Sequence, residues 1–178
     1  MACETDMTEP NAMSLATSDG REVSVRMVLM KYWDSNGFVF FTNYGSRKAR
    51  QIAKNASVGL LFYWECLHRQ IRIEGAANRI SAAESLKYFA TRPRGSQLGA
   101  WCSDQSTTIS SREMLSSKLE EIKRKFANRE VPLPSMWGGF RVVPRQFEFW
   151  QQGQDRLHDR FLYEKTDHEA WAIHRLAP

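Results

Sequence analysis

The sequence predicts a mainly β protein with helices (α+β), a closed or half-closed antiparallel barrel decorated by helices. Short apolar or alternating runs recur behind tight-turn signals, and two serine-led capping patterns open helices among them. The chain has 178 residues, enough for one domain with a real core and too few for two comfortable ones.

The elements follow in order. Residues 12–17 lead into Asp19-Gly20, a hairpin signal, and residues 23–30 form the next strand. There Val23, Val25, Met27 and Leu29 share one face, and Ser24, Arg26, Val28 and Met30 share the other. Asn36-Gly37 turns into residues 38–42, residues 46–55 read as a short basic helix, and residues 58–64 and 69–74 add two strands. Ser81-Ala82-Ala83-Glu84 opens a helix that Pro93 must end. Ser110-Ser111-Arg112-Glu113 repeats the pattern before Leu115, Leu119, Ile122 and Phe126, which lie on one helical stripe. Pro132 and Pro134 mark a linker, and strands are expected at 140–143, 146–150, 157–163 and 171–174. Residues 1–10 read as a short, candidate disordered segment, and 11–178 as a single domain.

Composition narrows the function classes. Hydrophobic content of 42% with 25% charged residues is that of a globular chain, and the +5 net charge suits phosphate-bearing partners. The basic residues are dispersed and no aromatics interleave with them in a stripe, which argues against nucleic acid. Cys3, Cys66 and Cys102 form no CxxC pair, and no signal peptide or membrane span is legible, so a cytoplasmic location is expected. GxGxxG, a phosphate loop, GxSxG and HExxH are all missing. His68, His158, His168 and His174 lack metal-ligand spacing, so no metal is expected.

Several residues could carry chemistry, each with a bland alternative. Arg26 interrupts an apolar strand and Lys31 ends it, which fits either a solvated face or an anion contact. Gly45-Ser46-Arg47-Lys48 stands where a strand yields to a helix N-terminus, a place for phosphate or a chance cluster. Tyr88 and Arg92 are four residues apart on one helical face with Ser96 just beyond, either a phosphate clamp or an arginine closing its own helix. Gln105 and Ser106 lie in a polar loop, and Trp150 could be core. In an extended strand Arg156, His158 and Arg160 would project to one side, a repulsive trio unless solvent or an anion separates them.

Taken together, the chain from about Asn11 to its last residue resembles the pyridoxine/pyridoxamine 5′-phosphate oxidases, flavoproteins of the FMN-binding split-barrel fold. The segments that carry the resemblance are Arg26-Met27-Val28-Leu29-Met30-Lys31, Phe41-Thr42-Asn43, Ser46-Arg47-Lys48, Arg69-Gln70, Tyr88-Phe89-Ala90-Thr91-Arg92-Pro93, Ser96-Gln97-Leu98-Gly99-Ala100, Gln105-Ser106, Trp137-Gly138-Gly139, Glu148-Phe149-Trp150, Arg156-Leu157-His158-Asp159-Arg160 and Arg175-Leu176-Ala177-Pro178. The resemblance implies a homodimer with FMN at the subunit interface. It assigns to FMN Arg26, Met27, Val28, Leu29, Met30, Lys31, Phe41, Thr42, Arg47, Lys48 and Gln70 of one subunit. Gln105, Ser106, Trp150 and Arg160 are expected to complete that site from the other subunit. Lys31, Tyr88, Arg92 and Ser96 would hold the substrate phosphate, with Arg156, Leu157 and His158 against the pyridine ring. The implied reaction yields pyridoxal 5′-phosphate, with dioxygen reoxidising the flavin and releasing hydrogen peroxide.

Overall fold

The computed structural model describes residues 7–168 and 170–178. The candidate disorder of residues 1–6 lies outside the described residues, whereas Pro10 is anchored, its carbonyl accepting from Trp64 Nε1 at 2.9 Å. In chain order the elements are β1 (Ala12–Ser18), β2 (Val23–Leu29), β3 (Tyr32–Asp34), β4 (Gly37–Asn43), α1 (Arg47–Lys54), β5 (Ser57–Trp64), β6 (Arg69–Arg79), α2 (Ala82–Ala90), α3 (Arg94–Cys102), α4 (Arg112–Lys125), β7 (Trp137–Gln151), β8 (Asp159–Lys165) and β9 (Trp171–Arg175). The sheet order is β2-β1-β5-β6-β7-β4-β3, with β8 on β7 and β9 on β8. This is the expected class, antiparallel β with helices.

Contacts divide the chain into two compact units: Met1–Phe40, Gln51–Asn78 and Arg141–Pro178 form the first, and Phe41–Arg50 and Arg79–Phe140 the second. In the first, alternation puts Met13, Leu15 and Thr17 of β1 inward, and Val58, Leu60 and Phe62 of β5 are buried with Ile73 of β6 and Val142 of β7. Each such apolar side chain contributes about 1.5–3 kcal/mol on burial. β2 behaves differently, for Val23, Val25 and Met27 face outward and are largely exposed. Its other face carries Arg26, as the alternation predicts.

β7 is longer than expected. A break at Pro144 is the natural reading, yet one strand runs through it, because proline costs a sheet little where its missing N–H is not needed. Neighbouring glycines allow β7 to come close. A Cβ on Gly75 would lie 2.2 Å from the Val143 carbonyl oxygen, and one on Gly37, at φ +127°, would lie 2.1 Å from that of Val142.

The second unit is mostly helical around Phe89, Leu98, Ile122, Phe126, Val131 and Trp137. Ser81 caps α2 as predicted, its Oγ accepting from Glu84 N at 3.0 Å. The cap of α4 falls one residue later than the Ser110 pattern implies: Ser111 Oγ accepts from Met114 N at 3.3 Å. α3 was not expected as a helix. Gly95, Gly99 and polar neighbours mask its periodicity, while Pro93 stands at its N-cap position.

Candidate functional site

β4 organises the second unit's chemistry, because Phe41 and Thr42 are consecutive and so project to opposite faces of the strand. On the Thr42 side the chain turns through Asn43, whose Oδ1 accepts from Gly45 N at 2.7 Å, and α1 begins at Arg47. That turn brings Lys48 back over the strand. Its Nζ donates to Thr42 Oγ1 at 3.1 Å and to Gln105 Oε1 at 3.0 Å, and Lys48 is only 9% exposed. Thr42 also donates to Gln105 Oε1 at 2.9 Å. Gln105 is thereby tied to Lys48 and Thr42 of its own chain. The loop is no free linker, since Asn43 Nδ2 donates to the Ser103 carbonyl at 3.0 Å. Ser106 follows in a left-handed conformation, φ 72°, and Arg47 is exposed at the first position of α1.

On the Phe41 side the aromatic rings stack. Phe41 lies 4.0 Å from Tyr88 and 5.1 Å from Trp137 between centroids, nearly parallel to both. Arg92 sits over Trp137 at 4.6 Å, so it does not simply close its own helix. Its Nη1 is buried without a hydrogen-bond partner among the described residues. Burial holds the Arg92 pKa below its ordinary value and the Tyr88 pKa above its own. A buried guanidinium with an unsatisfied donor favours an anion. Ser96 is exposed in the first turn of α3.

The remaining predicted residues belong to the first unit. Arg26 is no snorkelling surface group. Its Nη1 donates to the Leu15 carbonyl at 2.9 Å and to Thr17 Oγ1 at 2.6 Å, and its Nη2 donates to Ser24 Oγ. Both hydroxyls donate in turn to Gln51 Oε1, at 2.7 and 2.6 Å. Thr17, Ser24 and Gln51 had escaped sequence reasoning, since polar residues so spaced carry no motif. Lys31 is exposed, with its backbone N–H donating to the Val39 carbonyl at 2.8 Å. Met27 is exposed, while Val28, Leu29 and Met30 are half-buried. Gln70 is half-buried, opposite Tyr63 in the β5–β6 register.

The Arg156–Arg160 stretch departs most from expectation. It is not a strand throughout: residues Gln154–Arg156 form a 3-10 turn, with Asp155 and Arg156 left-handed at φ 50° and 62°, and β8 starts only at Asp159. The common face expected for Arg156, His158 and Arg160 therefore does not form. Arg156 and Leu157 are exposed. His158 packs by Trp150 at 4.7 Å between centroids, and Trp150 pairs with Arg160 in register.

Arg160 is neutralised by a residue the sequence reading left without a role. Glu148, 4% exposed, accepts from Arg160 Nε at 2.8 Å on Oε1. Arg72 Nη2 lies 2.6 Å from Oε2 but is misaligned for a hydrogen bond, so that contact is an ion pair and Oε2 keeps unused acceptor capacity. The Glu148 hydrogen bond raises the Arg160 pKa further. The signal was present: Glu148 is a lone carboxylate inside the aromatic run Phe147–Trp150.

A family model described as pyridoxamine 5′-phosphate oxidase matches residues 2–126, and one described as pyridoxine 5′-phosphate oxidase C-terminal dimerisation region matches residues 137–178. The pyridoxine/pyridoxamine 5′-phosphate oxidase of Rippkaea orientalis is 62% identical over 178 residues, covering 99% of this chain and 84% of that protein. That of Escherichia coli O1:K1 is 54% identical, covering 99% and 81%. Among solved structures, PhzG from Burkholderia lata 383, in complex with tetrahydrophenazine-1-carboxylic acid, aligns with TM-score 0.89 at 30% identity, covering 95% of this chain and 83% of that one. A pyridoxamine 5′-phosphate oxidase-related, FMN-binding protein from Nostoc punctiforme aligns with TM-score 0.77 at 16% identity, covering 97% and 90%, a likeness of fold alone.

Proposed function

This chain belongs to the pyridoxamine 5′-phosphate oxidase family, and from that premise we infer an FMN-dependent oxidase that makes pyridoxal 5′-phosphate. Its substrates are pyridoxamine 5′-phosphate and pyridoxine 5′-phosphate. We assign dioxygen as electron acceptor and hydrogen peroxide as product, with water consumed and ammonia released when the substrate is the amine. FMN, when bound, supplies the two-electron chemistry, and the protein supplies position and electrostatics.

One observation carries the reading. The two faces of β4 bear different cationic clusters, Lys48 with Thr42 and Gln105 on one, and Arg92 with Tyr88 on the other. Two phosphorylated ligands call for two such places. The Lys48 cluster fits the FMN phosphate: a buried ammonium, a hydroxyl and the N-terminal turn of α1 with exposed Arg47 form a donor-rich set. Ser106 would add a hydroxyl. Arg92 would grip the substrate phosphate through its unsatisfied Nη1, with Tyr88, Ser96 and Lys31 around it. That grip spends remote binding energy on orienting the reacting carbon. Arg26, Gln70, Trp150 and Arg160 would hold the remainder of FMN, and Arg156, Leu157 and His158 would border the pyridine.

The likeness to PhzG favours a second reading, a related flavin oxidase acting on a substrate without phosphate. Arg92 argues against it. Anaerobic addition of pyridoxamine 5′-phosphate to the FMN-loaded protein is expected to bleach the flavin absorbance, and pyridoxamine itself to do so far more slowly. Equal bleaching by both would point to the PhzG-like reading, and none by either would sink the oxidase.

A homodimer follows from the same proposal, as does a cytoplasmic location. Among the described residues no helix is long and apolar enough to cross a membrane. Val23, Val25 and Met27 present an uncovered apolar edge beside the β2 residues assigned to FMN. A second copy would cover it. Val25→Asp is expected to shift the protein to the monomer in sedimentation and to loosen FMN, and a dimer that retains its flavin would remove this face from the interface.

A further inference from the structure

The turn before β8 does more than deliver His158. Gly153 N donates to His158 Nδ1 at 3.2 Å. A neutral imidazole carries its proton on one nitrogen and accepts on the other, so a backbone N–H aimed at Nδ1 leaves the ring proton on Nε2.

The surrounding backbone is built to hold that contact. Leu157 N donates to the Gln154 carbonyl at 2.8 Å and His158 N to the Arg156 carbonyl at 3.0 Å, closing the loop through left-handed Asp155 and Arg156. Two successive non-glycine residues in that region are strained, and such strain persists where the surroundings over-determine it. Gly153 has no room for a side chain, since a Cβ there would lie 2.0 Å from the Leu157 carbonyl oxygen. Trp150 packs by the ring, 4.7 Å between centroids. Among the described residues nothing hydrogen-bonds to Nε2.

We propose that the 153–158 turn fixes His158 as the Nε2–H tautomer, so that it donates a hydrogen bond to the pyridine substrate and does not take the substrate's proton. Gly153 is then a positioning residue acting through His158. The identity of the acceptor rests on the oxidase reading, but the tautomer does not.

Two measurements test it on the full, FMN-loaded chain. Long-range nitrogen–proton correlation of histidine-labelled protein at mildly alkaline pH, with the His158→Gln spectrum for assignment, should show Nδ1 unprotonated and Nε2 protonated. The reverse pattern, or an averaged one, overturns the proposal. The second is the rate of anaerobic flavin reduction by pyridoxamine 5′-phosphate in His158→Asn and His158→Gln. Asparagine keeps an acceptor near Nδ1 but lacks the donor, and should slow reduction about fivefold to tenfold, the scale of one lost hydrogen bond. Glutamine places an N–H near Nε2 and should stay closer to the native rate. Losses of about a hundredfold or more in both would indicate a proton-transferring base and overturn the donor role. If the native chain itself is not reduced, the oxidase reading fails, and the tautomer is still decided by the spectra.

Discussion

Replacing Glu148 with alanine is expected to lower the thermal midpoint by roughly 10 °C, the largest stability effect of any single change discussed for this chain. The carboxylate is buried between Arg160 on β8 and Arg72 on β6; without it Arg160 loses its counter-ion, and Arg72 keeps only the more distant Glu74, 3.7 Å from its Nε. Breaking a buried pair from one side costs about 3–5 kcal/mol. The lower end applies here, because the Arg72 and Arg160 side chains retain 49% and 26% of their exposure and water recovers part of the loss. Glu148→Gln keeps the volume and one acceptor, so its cost should be roughly half. Arg160 is also held by the Ala177 carbonyl, 2.7 Å from its Nη1, so the loss of Glu148 should release it only in part. Calorimetry of flavin-free protein isolates the stability term. An alanine variant melting within about 2 °C of the native protein would show that the network is not structural.

Arg92→Ala should do the reverse, with a large effect on activity and a small one on stability. Its Nη1 lacks a partner, and burial opposes its charge, so the fold gains little from it beyond the contact with Trp137. That contact is worth about 0.5–1 kcal/mol. A phosphate held by the guanidinium would add about 1.5–3 kcal/mol of charge-assisted hydrogen bonding. The variant should therefore lose about 10- to 100-fold in kcat/KM for pyridoxamine 5′-phosphate while melting within about 3 °C of native. Peroxide release with and without the substrate phosphate is the measurement. A variant that keeps the native preference for the phosphorylated form would take Arg92 out of the clamp.

Legibility differed between the elements for identifiable reasons. β1, β2 and β5 were readable because alternation is a local property, and Ser81 was readable because a cap needs only residues three apart. β3 and α3 were missed, one for brevity and the other because two glycines and polar residues hide a short helix. The Arg156–Arg160 stretch was misread as a strand. Its composition fits one, but left-handed Asp155 and Arg156 turn the backbone before β8 begins. The bond between Lys48 and Gln105 was not readable, since no local pattern ties a loop residue to a lysine 57 positions earlier.

The sequence by itself determined the family and the antiparallel β architecture, and supplied the residues proposed for the ligands, because motifs and side-chain alternation are written in neighbouring positions. Only the tertiary structure decided how those residues are held. It brought Thr17, Ser24 and Gln51 to Arg26, Glu148 to Arg160, Gln105 to Lys48 and Gly153 to His158. The longest of these pairings joins residues 57 positions apart, and apart from Ser24, which strand alternation already sets on the Arg26 face, none is specified by spacing. Burial and hydrogen-bond geometry select them once the sheet and helices have packed.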